Sequence, residues 1–450
     1  MENENKMGTM PVGKLLIKMS VPVMISMLVQ ALYNIVDSVF VAQISEEALT
    51  GVTLAFPIQN LMIAISAGTG VGINALVSRR LGQKNMDGAG ITAGNGLFLN
   101  IIHAIVFSIA GLLLVPAFFR AQTSDPDIIA YGTDYLRIVS VFSFGIFMQV
   151  TFERFLQSTG LTFYSMICQT AGAVINIILD PIFIFGWFGL PAMGTAGAAW
   201  ATVIGQFFSA FLGVYFHLKF NHEIKLSLKS FKPNWPIIKE IYAVGIPSMI
   251  MMSVGSLLNI VMNNILIAFS STATAVYGVY FRLQSFVFMP VFGMNNGMVP
   301  IIGFNYGARK PDRIKETIAL AIRYASIIMI VGFVIFQLFP DVLLGFFNAS
   351  PQMIEIGRPA LRIISIHFIA AGASIVLGSA FQAFGLGKYS LVISLIRQLV
   401  VLLPIAYVMS LTGNINNIWW AFLISEVTAL VLGIGFMKHV NVHYIKPLYN

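Results

Sequence analysis

The sequence predicts an all-α membrane protein of twelve transmembrane helices, arranged as two pseudo-twofold-related six-helix lobes around a central cleft. Three observations carry this reading. The 450-residue chain is 57% hydrophobic and 10% charged, a balance foreign to an ordinary soluble globule. Apolar runs long enough to cross about 30 Å of hydrocarbon recur along its whole length. The second half also repeats landmarks of the first. Phe155-Leu-Gln-Ser-Thr-Gly-Leu-Thr-Phe-Tyr-Ser165 matches Ala380-Phe-Gln-Ala-Phe-Gly-Leu-Gly-Lys-Tyr-Ser390, and Val21-Pro22 matches Ile246-Pro247 at the same offset. Trp200-Ala-Thr-Val-Ile-Gly-Gln206 matches Trp420-Ala-Phe-Leu-Ile-Ser-Glu426.

Taken in order, the first-half spans fall at about 15–44, 52–78, 91–119, 128–158, 163–187 and 192–218. Lysines precede the first run as in a signal peptide, but it continues without a small-residue cleavage site and reads as a retained span. Gly68-Thr-Gly-Val-Gly72 in the second span looks like a dinucleotide fingerprint. It has no βαβ context, so it reads as close helix packing. The second-half spans fall at about 237–269, 275–304, 316–340, 352–383, 389–411 and 417–438. Between the halves lies the only long polar stretch, Lys219 to Lys239, with Pro233 and Pro236. The expected division is therefore an N-terminal lobe over 1–218, a cytoplasmic linker over 219–236 and a C-terminal lobe over 237–450.

Charge placement gives the topology. The net charge of +8 could suggest nucleic acid, but most of the 26 Lys and Arg share alternate loops and the termini. Lys6, Lys14 and Lys18 precede the first span, and Arg79, Arg80 and Lys84 follow the second. The linker carries Lys219, Lys225, Lys229, Lys232 and Lys239. Arg309, Lys310, Arg313, Lys315 and Arg323 follow the eighth span, and Lys388, Lys438 and Lys446 complete the set. That is the positive-inside pattern, with both termini cytoplasmic in a multi-pass cell-membrane protein. The partner it implies is the lipid bilayer, not nucleic acid. Because six spans is an even number, both halves begin on one side. The repeat is then parallel about the membrane normal, a geometry that leaves a cleft suited to alternating access.

Polar residues inside the spans are costly, so each needs a reason. In Asn176-Ile-Ile-Leu-Asp180-Pro181 the carboxylate shares a helix face with Asn176 and, two turns earlier, Gln169. Pro181 removes a backbone donor beside the acid. These oxygens read as an ion or proton site; a structural acid paired with a neighbouring helix is the alternative. Asp37 ends a stripe of Gln30 and Tyr33 or Asn34 on the first span. Glu153 centres Gln149, Glu153 and Gln157, spaced by four on the fourth span. Helix rise puts Asp37 and Asp180 in the outer half of the membrane and Glu153 nearer the cytoplasm. A cation arriving from the cytoplasm would meet Glu153 first. An internal pair with Arg154 is the plainer reading of that acid.

The second half has Met262 where the first has Asp37, and carries Arg282, Arg397 and Glu426. An Arg397–Glu426 pair is expected to be structural, and His367 to be a satisfied interior histidine. The 37 Phe and 22 Met serve lipid contact and packing, with a fraction available as an adaptable apolar cleft wall. Cys168 is the single cysteine and lies inside a span, so no intrachain disulfide or cysteine-based metal site is expected. No phosphate-binding loop, H-E-x-x-H or nucleophile–base set is present, and no enzyme activity or cofactor is expected. Asp37, Glu153 and Asp180 cluster in one half and form no ring, which disfavours a channel.

Across essentially the whole chain these residues resemble the multidrug and toxic compound extrusion (MATE) transporters, in the branch with the DinF-like and MepA-like proteins. The marks are Met19-Ser-Val-Pro22 with Asp37, Glu153-Arg-Phe-Leu-Gln-Ser-Thr-Gly160, and Asn176 to Pro181. Gly197-Ala-Ala-Trp-Ala-Thr202, Val299-Pro300 and Asn305-Tyr-Gly-Ala308 add to them. The resemblance implies a MATE fold and export of lipophilic organic cations, drugs or toxins, in exchange for Na⁺ or H⁺. It places cation coupling on Asp37, Asn176, Asp180 and Thr202, with no metal beyond Na⁺ at that site. It places substrate contacts on Glu153 and Asp180, to which the stripes add Gln149, Gln157 and Asn34, and helix bending on Pro22. The glutamate of another branch would fall near Gly255, so a second-lobe cation site of that type is not expected. The expected protein is a monomeric antiporter. A flippase of the same superfamily, moving a lipid-linked saccharide, is the alternative.

Overall fold

The computed structural model describes residues 5–449 and, of Leu228 and Lys229, the backbone only. Among the described residues ten helices are long and apolar enough to cross a membrane, and two bent pairs bring the spans to twelve. In the first half these are α1 (Val12–Ala42), α2 (Glu46–Gly82) and α3 (Met86–Leu113), then α4, whose limbs Pro126–Val141 and Phe144–Ser158 meet at 46°. They are followed by α5 (Thr162–Phe185) and α6 (Thr195–Phe220). The second half has α7 (Trp235–Ile267), α8 (Ser271–Gly307) and α9 (Pro311–Leu338), then α10, with limbs Pro351–Ser365 and Phe368–Ala383 meeting at 49°. It ends with α11 (Gly387–Ser410), which contains a π-helical segment at Ile396–Leu402, and α12 (Ile415–Val440).

The spans are those expected, with one displaced boundary. The third run was read as 91–119, but α3 stops at Leu113 and a separate helix, Val115–Gln122, starts with Pro116 in its first turn. Proline lacks the N–H that would continue α3 yet suits the start of a new helix. Pro22 and Pro181 act differently. Both α1 and α5 run through their prolines as continuous helices, each short of the one backbone bond that proline cannot donate.

The repeat extends to the details of the turns. Between α4 and α5, Gly160 has φ +84° and Leu161 N–H donates to Leu156 O at 2.7 Å. Between α10 and α11, Gly385 has φ +80° and Leu386 N–H donates to Phe381 O at 2.8 Å. Glycine is required at both because side chains are crowded at positive φ. Ser45 and Ser270 cap α2 and α8 alike, each hydroxyl accepting from a backbone N–H at 3.0 Å. The two bends coincide in the repeat as well. At the first, Ser143 Oγ donates to Ala104 O; at the second, His367 Nδ1 meets Ile364 O at 2.6 Å. His367 is buried among Phe288, Phe368 and Phe422, as an interior histidine should be.

The end of the bundle carrying both termini and the α6–α7 connection, here the basic end, is where the halves meet. There α1 packs on α8, and α2 on α7 and α8. Side chains on Gly72 and Gly82 would overlap the carbonyl oxygens of Ile241 and Phe304, so the glycine stripe in α2 serves close packing. Arg80 pairs with Glu240 at 3.3 Å, and His103 Nε2 meets Tyr242 Oη at 3.0 Å. Residues 5–10 tie the seam from outside. Asn5 Nδ2 donates to Glu223 Oε1 and Oε2 (2.8 and 2.7 Å) in the connection and to Thr159 O (3.4 Å). The carbonyls of Met7, Gly8 and Met10 accept from Asn305, Lys310 and Arg313 at 2.7–3.0 Å. Toward the far end the last cross-lobe hydrogen bond among the described residues is Asn60 Nδ2 to Ser256 Oγ, 3.0 Å. The cleft is therefore closed at the basic end and opens toward the far end.

Candidate functional site

A cavity of about 620 Å³ lies between the lobes, lined by α1, α2, α4, α5 and α6 on one side and α7, α8, α10 and α11 on the other. Small residues shape its walls in two ways: Gly172 and Gly205 let α5 and α6 approach closely, a Cβ at either meeting the carbonyl oxygen of the other at 2.6–2.8 Å, whereas a Cβ at Gly378 meets nothing within 4 Å.

Beside it, in the far half of the first lobe, the helices bring Asp37, Asn176, Asp180 and Thr202 into one cluster. Asn176 Nδ2 donates to Thr202 Oγ1 at 3.1 Å, joining α5 to α6. Asp180 is 0% exposed, and both its oxygens are buried without a hydrogen-bond partner, as are Asp37 Oδ1 and Asn176 Oδ1. The two carboxyls are close enough to hydrogen-bond each other once one carries a proton. Tyr33 stands next to both acids, and Tyr135 of α4, whose hydroxyl donates to Gln59 Oε1 at 3.4 Å, closes the cluster. Orphaned buried acceptors on two acids have one chemical use, to hold a proton or a cation. Two turns nearer the basic end, Gln169 Nε2 donates to Gln30 Oε1 at 2.7 Å and secures α5 against α1.

Glu153 is apart from this cluster, near the basic end of α4 and on the cavity wall. It is buried and accepts a hydrogen bond from Gln149 Nε2 at 3.0 Å. It forms no ion pair with Arg154, whose Nη1 donates to Gln157 Oε1 at 2.8 Å. Gln157 Nε2 in turn donates to Ser165 Oγ at 2.9 Å. The plainer reading of Glu153 as the partner of Arg154 is thus corrected: the helix turn points them apart. Asn34 is exposed on α1 and lines the cavity with Gln149, Gln157, Asn176 and Thr202. Pro22 lies on α1 toward the basic end, away from the acids.

In the second lobe Arg397 Nη1 lies 3.1 Å from Glu426 Oε2, the pair expected from sequence. Arg282 is exposed on α8 outside the cavity lining. Tyr135, Gln59 and Asn295 were not singled out from sequence. Tyr135 and Gln59 are common residues with no partner in their own helices, and only the packing of α4 on α2 reveals them. Asn295 is one neutral amide among several on α8, and only the packing shows that it is buried and unpartnered at both ends.

The MatE family model matches residues 22–182 and again 247–408, once in each half. The multidrug export protein MepA of Staphylococcus aureus (strain MRSA252) is 24% identical over 417 residues, covering 92% of this chain and 91% of its own. An outward-facing multidrug resistance MATE family transporter of the MOP superfamily superposes with a TM-score of 0.92 at 25% identity. That match covers 100% of this chain and 99% of the other. A MOP superfamily transporter from Pyrococcus furiosus Vc1, whose binding pocket of reverse polarity suggests a different function, superposes with a TM-score of 0.91 at 25% identity, over 100% and 99% of the two chains. Twelve spans, a repeat that reaches into the turns and a family match in each half agree: this chain belongs to the MatE family.

Proposed function

We propose that this chain is a secondary active antiporter that expels lipophilic organic cations in exchange for Na⁺ or H⁺, by alternating the side to which its cavity opens. The observation that carries the reading is a pair of acids, Asp180 with both oxygens buried and unpartnered and Asp37 with Oδ1 so, beside the Asn176–Thr202 bond. Two acids at membrane depth call for a proton or a cation between them. Na⁺ accepts carboxylate, amide and hydroxyl oxygens together, and Asn176 Oδ1 is a free member of that set. Loading the ion neutralises the first lobe. It favours drug release to the extent that ion and drug bind the two states unequally.

Glu153 is the substrate acid in this reading, with Gln149, Gln157 and Asn34 around the ligand. Met251, Met252, Met289 and Phe292 supply the adaptable apolar wall across from it. The positive-inside rule makes the basic end cytoplasmic, so the state described opens outward from a cell membrane, with one chain as the working unit. The likeness to multidrug exporters does not favour the flippase alternative. Drug accumulation in vesicles of reconstituted protein, under separately imposed Na⁺ and proton gradients, tests the proposal and chooses the ion. Undiminished export by both Asp37→Asn and Asp180→Asn, at equal membrane abundance, overturns it.

A further inference from the structure

The two walls of the cavity carry opposite groups at matched positions. The repeat lays Glu153 of α4 over Gly378 of α10, and Gly172 of α5 over Arg397 of α11; all four line the same cavity. The first wall thus presents a carboxylate where the second is bare backbone. The second presents a guanidinium where the first is bare backbone. A Cβ built at Gly378 meets nothing within 4 Å, so the cavity is open in front of that position.

Arg397 is braced without being used up. Only Nη1 faces Glu426, at 3.1 and 3.5 Å from its two oxygens; Nε and Nη2 meet no acceptor among the described residues. Its side chain is 27% exposed, against 5% for Glu426 behind it. Next to it, Gln398 Nε2 donates to Ser394 Oγ at 2.8 Å, which leaves the Ser394 hydroxyl proton for another acceptor. Asn295 on α8 lines the same cavity with its amide nitrogen and oxygen both buried and unpartnered. The other guanidinium on the cavity, Arg154, gives Nη1 to Gln157 of its own helix and stands in the lobe that carries Glu153, not across the cavity from it. A fork of guanidinium donors held from behind by a buried carboxylate matches a second carboxylate in front, and offers nothing to a plain organic cation.

We propose that Arg397 and Ser394, three residues apart on α11, form a subsite for the carboxylate of a zwitterionic amphiphile whose cationic end meets Glu153. The subsite rests on the reading of the cavity as the substrate site. It deepens that reading by giving the second lobe a part in selecting substrates rather than a merely structural ion pair.

Binding of a fluorescent aryl amine bearing a free carboxylate, and of its methyl ester, to the purified full-length protein tests it. Wild-type protein should hold the acid about tenfold more tightly than the ester. Arg397→Gln/Glu426→Gln removes both charges together, leaving no buried carboxylate unpaired, and should bring that ratio to about one. Glu426→Gln alone frees Nη1 and should raise the ratio. Arg397→Lys keeps the charge beside Glu426 but loses the planar fork, and should lower the ratio several-fold. Where the double variant fails to fold, the lysine variant decides. An acid-to-ester ratio unmoved by these changes, or equal to one in wild-type protein, overturns the subsite alone. If wild-type protein binds neither compound, the cavity is not the substrate site, and the subsite falls with it.

Discussion

The two lobes share a backbone plan and differ in what they leave unpaired. The repeat lays Asp37, Asn176 and Asp180 of the first over Met262, Val401 and Ile405 of the second, and Thr202 over Phe422. In the first lobe these positions hold orphaned oxygens. In the second, Met262 and Phe422 are packed into the core. One turn nearer the basic end the second lobe holds its charges as an ion pair, Arg397–Glu426, where the first has Gly172 and Gln206. Each helix bundle packs largely within itself, so one copy could specialise while the other kept the scaffold. Unpaired polar groups are tolerated in hydrocarbon only where something mobile arrives to pair with them.

The strongest way to break this comparison is to remove the acids. Asp37→Asn or Asp180→Asn should abolish gradient-driven export, whereas Ile405→Asn at the repeat-related position should leave transport per folded molecule within a few-fold of wild type. Uptake in vesicles at matched abundance measures both, and equal losses would erase the distinction between the lobes.

Next in size is the internal pair. Arg397→Leu leaves Glu426 buried and alone and should destabilise the protein by about 3–5 kcal/mol, while Arg397→Leu/Glu426→Leu should recover most of that loss. Thermal unfolding in detergent distinguishes them. A double variant as unstable as the single one would show that the pair does more for folding than neutralise itself.

A smaller effect sharpens the roles within the first lobe. Glu153→Gln should weaken binding of organic cations by about 1–3 kcal/mol, roughly 5- to 150-fold, and spare neutral compounds. Titration of purified protein with a matched cationic and neutral pair would read this, and equal losses for both would return Glu153 to a structural part. Smallest of all, Thr202→Val removes the acceptor of the Asn176 amide and should raise the ion concentration for half-maximal export several-fold, about 1 kcal/mol. No shift in that concentration would take Thr202 out of the ion site.

Much of this was legible in the chain before its fold was known, for identifiable reasons. Span positions and the parallel repeat follow from the bilayer, which demands long apolar runs and leaves few alternatives. The grouping of Asp180 with Asn176 followed from helical spacing. Thr202 entered only through family resemblance, because nothing in α6 alone marks it as facing α5. Spacing also gave Glu153 and Arg154 without saying that 100° of helix turn would hand Arg154 to Gln157. The Arg397–Glu426 contact was expected, but its exposure to the cavity was not. Which face of a helix meets the cleft is decided by neighbours distant in sequence, as it is for Tyr135 and Gln59.

The strap of residues 5–10 has a consequence for turnover. For the basic end to open, either Asn5 must leave Glu223 and Thr159, or Met7, Gly8 and Met10 must leave Asn305, Lys310 and Arg313. Even the smaller set includes a bond to a carboxylate, worth about 1.5–3 kcal/mol net, or a factor of roughly 10–150 between two conformers. In the proposed antiporter cycle the amino terminus would act as a throttle. A tag, a truncation or a bound partner there would then reset how often the cavity faces inward without changing any residue of the proposed ion and substrate sites.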